Sequence, residues 1–145
     1  MLNKLFKNKK GYVMPYTIML ITLVAMPMLV LSSEVARMMF VDVHLQAATD
    51  AACAAASQGV DLPHFIATGE LKIDPSAAAV NAQREFNSSV QNAGINQYSP
   101  SLSGLSISGL TTVYCHGSAS MTWMLPGIAP VILTADSAAE ARAVH

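Results

Sequence analysis

The stretch KNKKGYVMPYTIMLITLVAMPMLVLSSE, residues 7–34, decides how the rest of the chain is understood. It opens on lysines, turns apolar after Gly11 and carries no charged side chain from Tyr12 to Ser33. About 20 apolar helical residues, rising about 1.5 Å each, match a hydrocarbon core about 30 Å thick. The segment is therefore long enough to span a bilayer. Pro15 and Pro27 fall inside it, which neighbouring helices or local backbone adjustment accommodate in lipid. Four of the eight basic residues, Lys4, Lys7, Lys9 and Lys10, precede the apolar run, and lysines on one flank hold that flank in the cytoplasm. This predicts a basic cytoplasmic leader at residues 1–11, a transmembrane segment at 12–33 and an extracytoplasmic body at 34–145. The competing reading is a cleaved secretory signal, whose apolar region reaches about 15 residues and ends in a small-residue site. Here the run is longer, and no A-x-A-like site precedes Glu34.

The body is one small domain within a chain of 145 residues. The net charge of −1 conceals an asymmetry: from Gly11 onward four basic residues face nine acidic ones. A mildly acidic body has no electrostatic footprint for phosphates, which argues against nucleic acid as a partner. The two cysteines, Cys53 and Cys115, are too far apart for a C-x-x-C metal or redox motif. Outside the cytoplasm, where disulfides persist, a structural bridge is their expected use.

Beyond the apolar run nothing breaks the helix. From Ser33 to Ser57 there is no Gly or Pro, and seven alanines lie between Ala47 and Ala56, the residue of highest helix propensity. The helix is predicted to run from about Tyr16 to Gln58 and to stop at Gly59. In its second half Met38, Val41, Leu45, Ala48, Ala52 and Ala55 recur at spacings of three and four, forming one stripe. Asp42, Gln46, Thr49, Asp50 and Ser57 fall on the other side, with Cys53 at the flank. Ala48 to Ala55 are expected to pack on the protein's own domain, and Met38 to Leu45 are open to a partner subunit.

Residues 59–74 read as a connection. Asp74-Pro75 is a helix start, Asp as cap and Pro in the first turn, for a second helix reaching Gly94 with Ala78, Phe86 and Val90 among its apolar positions. In TVYCHGSASMTWML, residues 112–125, apolar and polar positions alternate with period two, a strand with one buried face. Met121 and Trp123 fall on the core side. LSGLSISG before it and PVILTADSA after it read as two further strands. The fold class is α+β: a long helix, a second helix and a three-stranded antiparallel sheet.

Little here suggests chemistry. His44, His64, His116 and His145 have no spacing that brings two imidazoles to one metal. Cys115 and His116 are neighbours on a strand, where adjacent side chains point to opposite faces, so they do not form a nucleophile and base. Glu34 and Arg37, three apart, suit a weak interfacial ion pair. There is no phosphate loop and no nucleophile elbow. The expectation is a structural or interaction protein rather than an enzyme, with no cofactor and no metal.

The series KKGYVMPYTIML…SSEVARMMFVDVHLQAATDAACAAASQG resembles the N-terminal helix of the TadE/TadG-like minor pilins of bacterial tight-adherence (Tad, or Flp) pili. Leu45, Gln46, Ala47, Ala48, Asp50, Ala51, Ala52, Ala54, Ala55 and Ala56 follow that family's pattern position by position. The closing SASMTWMLPGIAPVILTADSAAEAR is similar to its last strand pair. The resemblance implies a minor pilin or pilus-assembly subunit of the inner membrane, its domain periplasmic or in an extracellular pilus. Its implied partners are other pilins, the Tad inner-membrane assembly proteins and a prepilin peptidase that would cut between Gly11 and Tyr12. Such a cut places Tyr16 fifth in the mature chain, where these precursors commonly carry glutamate. The alternative is a bitopic envelope protein, unrelated to pili, whose periplasmic domain binds a protein partner.

Overall fold

The structure, a computed structural model, describes residues 9–124 and 127–142. Three helices are followed by three strands: α1 (Lys9–Ser57), α2 (Leu62–Thr68), α3 (Pro75–Ala93), β1 (Ser101–Ser108), β2 (Thr112–Met121) and β3 (Val131–Glu140). The strands form one antiparallel sheet in the order β1-β2-β3. The architecture is α+β, as the periodicities predict. The chain divides into two compact units, residues 1–37 and residues 38–145.

In the first unit, α1 is one helix long and apolar enough to cross a membrane. It begins at Lys9, earlier than the predicted Tyr16, so Gly11 and Tyr12 lie in its first turns; residues 1–8 of the predicted leader are outside the described residues. Pro15 and Pro27 are both accommodated within the helix. The hydroxyls in this apolar stretch return to the helix's own carbonyls, Thr22 to Ile18, Ser32 to Met28 and Ser33 to Val30, each at 2.8 Å. A polar group satisfied within its own helix does not need water. From Met14 to Leu31 the large side chains are exposed, save partly covered Val30 and Ala25.

The second unit is built on the inner face of the sheet. Burial in β2 alternates strictly from Val113 to Met121, with Val113, Cys115, Gly117, Ala119 and Met121 inward. The strand ends at Met121 rather than continuing to residue 125. Trp123, expected in the core, is half-buried, and its Nε1 is enclosed without a hydrogen-bond partner among the described residues. The β1–β2 register shifts between Leu102 and Gly104; this bulge sets Ser103 apart, and its hydroxyl donates to the His116 carbonyl at 3.0 Å.

Helix α3 contributes Ala78, Ala82, Phe86 and Val90 to the core, spaced four apart so that they form one stripe. Its start is the predicted cap, the Asp74 carboxylate accepting from the Ser76 amide at 3.0 Å. Within the predicted connection lies a helix the periodicity did not show, α2, whose first turn is capped by Asp61. The connection is pinned by a bridge between Val60 and Ile73. The end of α1 meets the start of α3 at Gly59, where an added Cβ would lie 2.7 Å from the Ala78 amide nitrogen; a larger residue would push the two helices apart.

Candidate functional site

Among the described residues a concavity on the sheet is lined by Ser106, Tyr114, His116 and Asp136, and this surface and that of α1 are the features to weigh. Within the second unit α1 has two apolar faces with different fates. On one, Val41, Leu45, Ala48 and Ala52 are fully buried in the domain's own core, and Met38 packs against them. Met38, Val41 and Leu45, open to a partner in the sequence reading, are thus engaged within their own domain. The buried arc is also wider than the predicted stripe: Thr49 and Cys53, placed on the polar side and the flank, are fully buried. A helix that rests on a sheet while another helix packs alongside buries more than a narrow seam. Thr49 tolerates this because its hydroxyl donates to the Leu45 carbonyl at 2.8 Å.

On the other face Met39 and Val43 remain about two-thirds exposed and Phe40 about half. Phe40 stacks on His44 with ring centroids 4.2 Å apart, and His44 Nδ1 lies 2.8 Å from the Phe40 carbonyl. Met39, Phe40, Val43 and Ala47 fall at helical spacings, so the exposed strip runs along the helix rather than being scattered. The sequence signal for it was present, but it was overshadowed by the longer Met38–Ala55 stripe.

Just before this region, in the first unit, Glu34 is fully buried and the Arg37 guanidinium lies 3.4 Å from both carboxylate oxygens. A buried carboxylate with a cation is more than the weak surface pair anticipated, since removing one partner strands the other charge.

The outer face of the sheet is polar. Across β1, β2 and β3 the registers align Ser106, Tyr114 and Ala138, then Gly104, His116 and Asp136. His116 Nδ1 and Asp136 Oδ1 are 2.5 Å apart, a pairing hidden in the sequence because it depends on strand register. Gln46 of α1 donates to the Asp136 carbonyl at 3.0 Å. As expected from strand geometry, Cys115 lies on the opposite face from His116, and the nearby Ser103 hydroxyl is committed to a backbone carbonyl. Among the described residues no three His, Cys, Asp or Glu side chains converge as metal ligands.

The cysteines meet where α1 crosses the sheet. Both are buried and both are free thiols. Cys53 donates to the carbonyls of Val113 at 3.3 Å and Ser137 at 3.5 Å. Burial, with the neighbouring Cys53 side chain adding to it, pushes the Cys115 thiol far above its ordinary value. No protein-family model, no curated protein and no solved structure matches the chain.

Proposed function

We propose that the chain is a structural minor pilin or pilus-assembly subunit of the TadE/TadG-like kind, inserted by α1 and assembling through helix packing outside the bilayer. The observation that carries this reading is the exposed strip of Met39, Phe40 and Val43 on the helix whose other face is occupied by the domain core. Single exposed apolar residues need no explanation, but an aligned strip on a helix is what another helix covers. The uncharged, internally hydrogen-bonded stretch from Met14 to Ser33 supports anchoring, and the lysines before it support an extracytoplasmic domain.

The test is a photo-crosslinking amino acid at position 39 in cells that express the full pilus machinery. The reading predicts adducts joining this residue to the N-terminal helix of a pilin-like subunit, with the protein recovered in the sheared pilus fraction or in an inner-membrane assembly complex. Adducts with lipid alone, and a protein absent from both fractions, would refute it.

A further inference from the structure

We propose that Cys53 and Cys115 close into a disulfide that staples α1 to β2, formed by exchange with the disulfide of a thiol oxidoreductase outside the cytoplasm. The proposal rests on the reading that residues 34–145 lie in that compartment. Its structural basis is the register of helix on sheet. Thr49 sits over Gly117 so closely that a Cβ there would collide with Thr49 Oγ1 and lie 3.6 Å from Leu45 Cδ1. From Thr49 to Cys53 is about 6 Å along a helix, and from Gly117 back to Cys115 is about 7 Å along a strand. The two steps nearly match, so contact at 49 and 117 carries Cys53 over Cys115. The Cys53 sulfur is where this predicts, within 3.5 Å of the carbonyls of Val113 and of Ser137, the cross-strand partner of Cys115.

Small residues on both sides make the reach feasible. Ala48 and Ala52 on the helix and Gly117, Ala119 and Ala135 on the sheet are all small and all buried. A bridge needs Cα atoms within about 7 Å, which large side chains at this interface would prevent.

The chemistry balances through two exchanges. The thiolate of one cysteine attacks the oxidoreductase disulfide, forming a mixed disulfide and expelling one thiolate. The thiolate of the second cysteine attacks the protein sulfur of that intermediate and expels the other. One S–S bond forms and one breaks; two protons pass to the oxidoreductase sulfurs, which leave as a dithiol. With exposures of 0% and 2%, neither thiol is reachable once the domain has closed, so exchange precedes docking of helix on sheet and the finished bond is shielded from reductant.

The full-length protein, harvested from membranes with thiols blocked by N-ethylmaleimide in denaturant, decides the matter. Trypsin cutting after Arg37, Lys72, Arg84 and Arg142 places the two cysteines on separate peptides, 38–72 and 85–142. The expected result is one linked peptide pair, which reductant separates into its two members. Two singly blocked peptides overturn the proposal. Protease added to cells with opened outer membranes distinguishes the cause: a domain that is cleaved leaves the location intact and refutes the bridge alone, whereas a protected domain refutes the location as well. Reduced, unfolded protein is also refolded in detergent with oxidised glutathione. The bridge should form in the wild type and fall severalfold in Gly117→Ala; a wild type that refolds with free thiols overturns the geometry wherever the domain resides.

Discussion

Thr49 and Gly117 limit how close α1 comes to the sheet, and they are a direct place to perturb the domain. Gly117→Ala puts a methyl group into Thr49 Oγ1 and is expected to lower stability by about 1–3 kcal/mol through overpacking. Adding Thr49→Ala should recover part of that loss, and a double-mutant cycle by denaturant unfolding measures the coupling. The Cys115 thiol makes a prediction for the reduced protein. Its folded value is raised and its unfolded value is the ordinary one, so the folded state holds the proton more tightly. Stability of the reduced form is therefore undiminished below the ordinary thiol value and falls as pH rises above it. The bridged form has no thiol to ionise and lacks this alkaline loss, so unfolding midpoints of the two forms should diverge above about pH 9. At this scale the sequence was only partly legible. The inward direction of Cys115 followed from strand alternation, but the burial of Thr49 and Cys53 depended on how wide an arc the sheet and α3 cover. The His116–Asp136 pair depended on a register that a single strand does not encode.

Helix α1 exposes the difference between forming an element and assigning its faces. Its existence was plain in the Gly- and Pro-free alanine run, and its end beside Gly59 in the glycine itself. Which of two apolar stripes turned inward was decided by tertiary packing, so Met38, Val41 and Leu45 went to the core and Met39, Phe40 and Val43 to the surface. The faces predict opposite phenotypes. Leu45→Ala should cost about 2–5 kcal/mol by leaving a cavity. Val43→Asp should leave the unfolding midpoint unchanged, yet abolish the position-39 crosslink and incorporation into pili. Helix α3 was legible because Asp74-Pro75 and Gly94 bracket a four-residue periodicity. The bonds from the Ser76 side chain and amide hold the Asp74 carboxyl below its ordinary value. The cap thus stabilises the domain above that value and loses its effect as pH falls through the lowered one. Asp74→Ala should melt at a lower temperature than wild type near neutral pH, and the gap should close in acid. Helix α2 escaped notice because seven residues are too few for a period; Asp61 followed by Pro63 at its start and Gly69 at its end were its sequence signals.

At the scale of the molecule, α1 joins a stretch long and apolar enough to cross a membrane to a stretch whose one face fills the core of the sheet domain; the proposed role leaves its second apolar face for neighbouring subunits. The Cys53–Cys115 bridge would close a loop of about 60 residues and stabilise the domain by about 4 kcal/mol on the chain-entropy argument. It would tie α1 to the sheet. The α+β class, the three strands and the apolar span were open to sequence reading because each rests on local period and length. Assembly was not, because it concerns surfaces that only the folded domain separates from its core. The proposed pilin role depends on the apolar half of α1 remaining part of the mature protein. N-terminal sequencing of the protein recovered from washed membranes tests that most directly. A retained span predicts a chain beginning at Met1, as an uncleaved anchor, or at Tyr12, as a processed subunit cut after Gly11. A chain beginning near Glu34 would mean that the span is discarded as a secretory signal, and would contradict it.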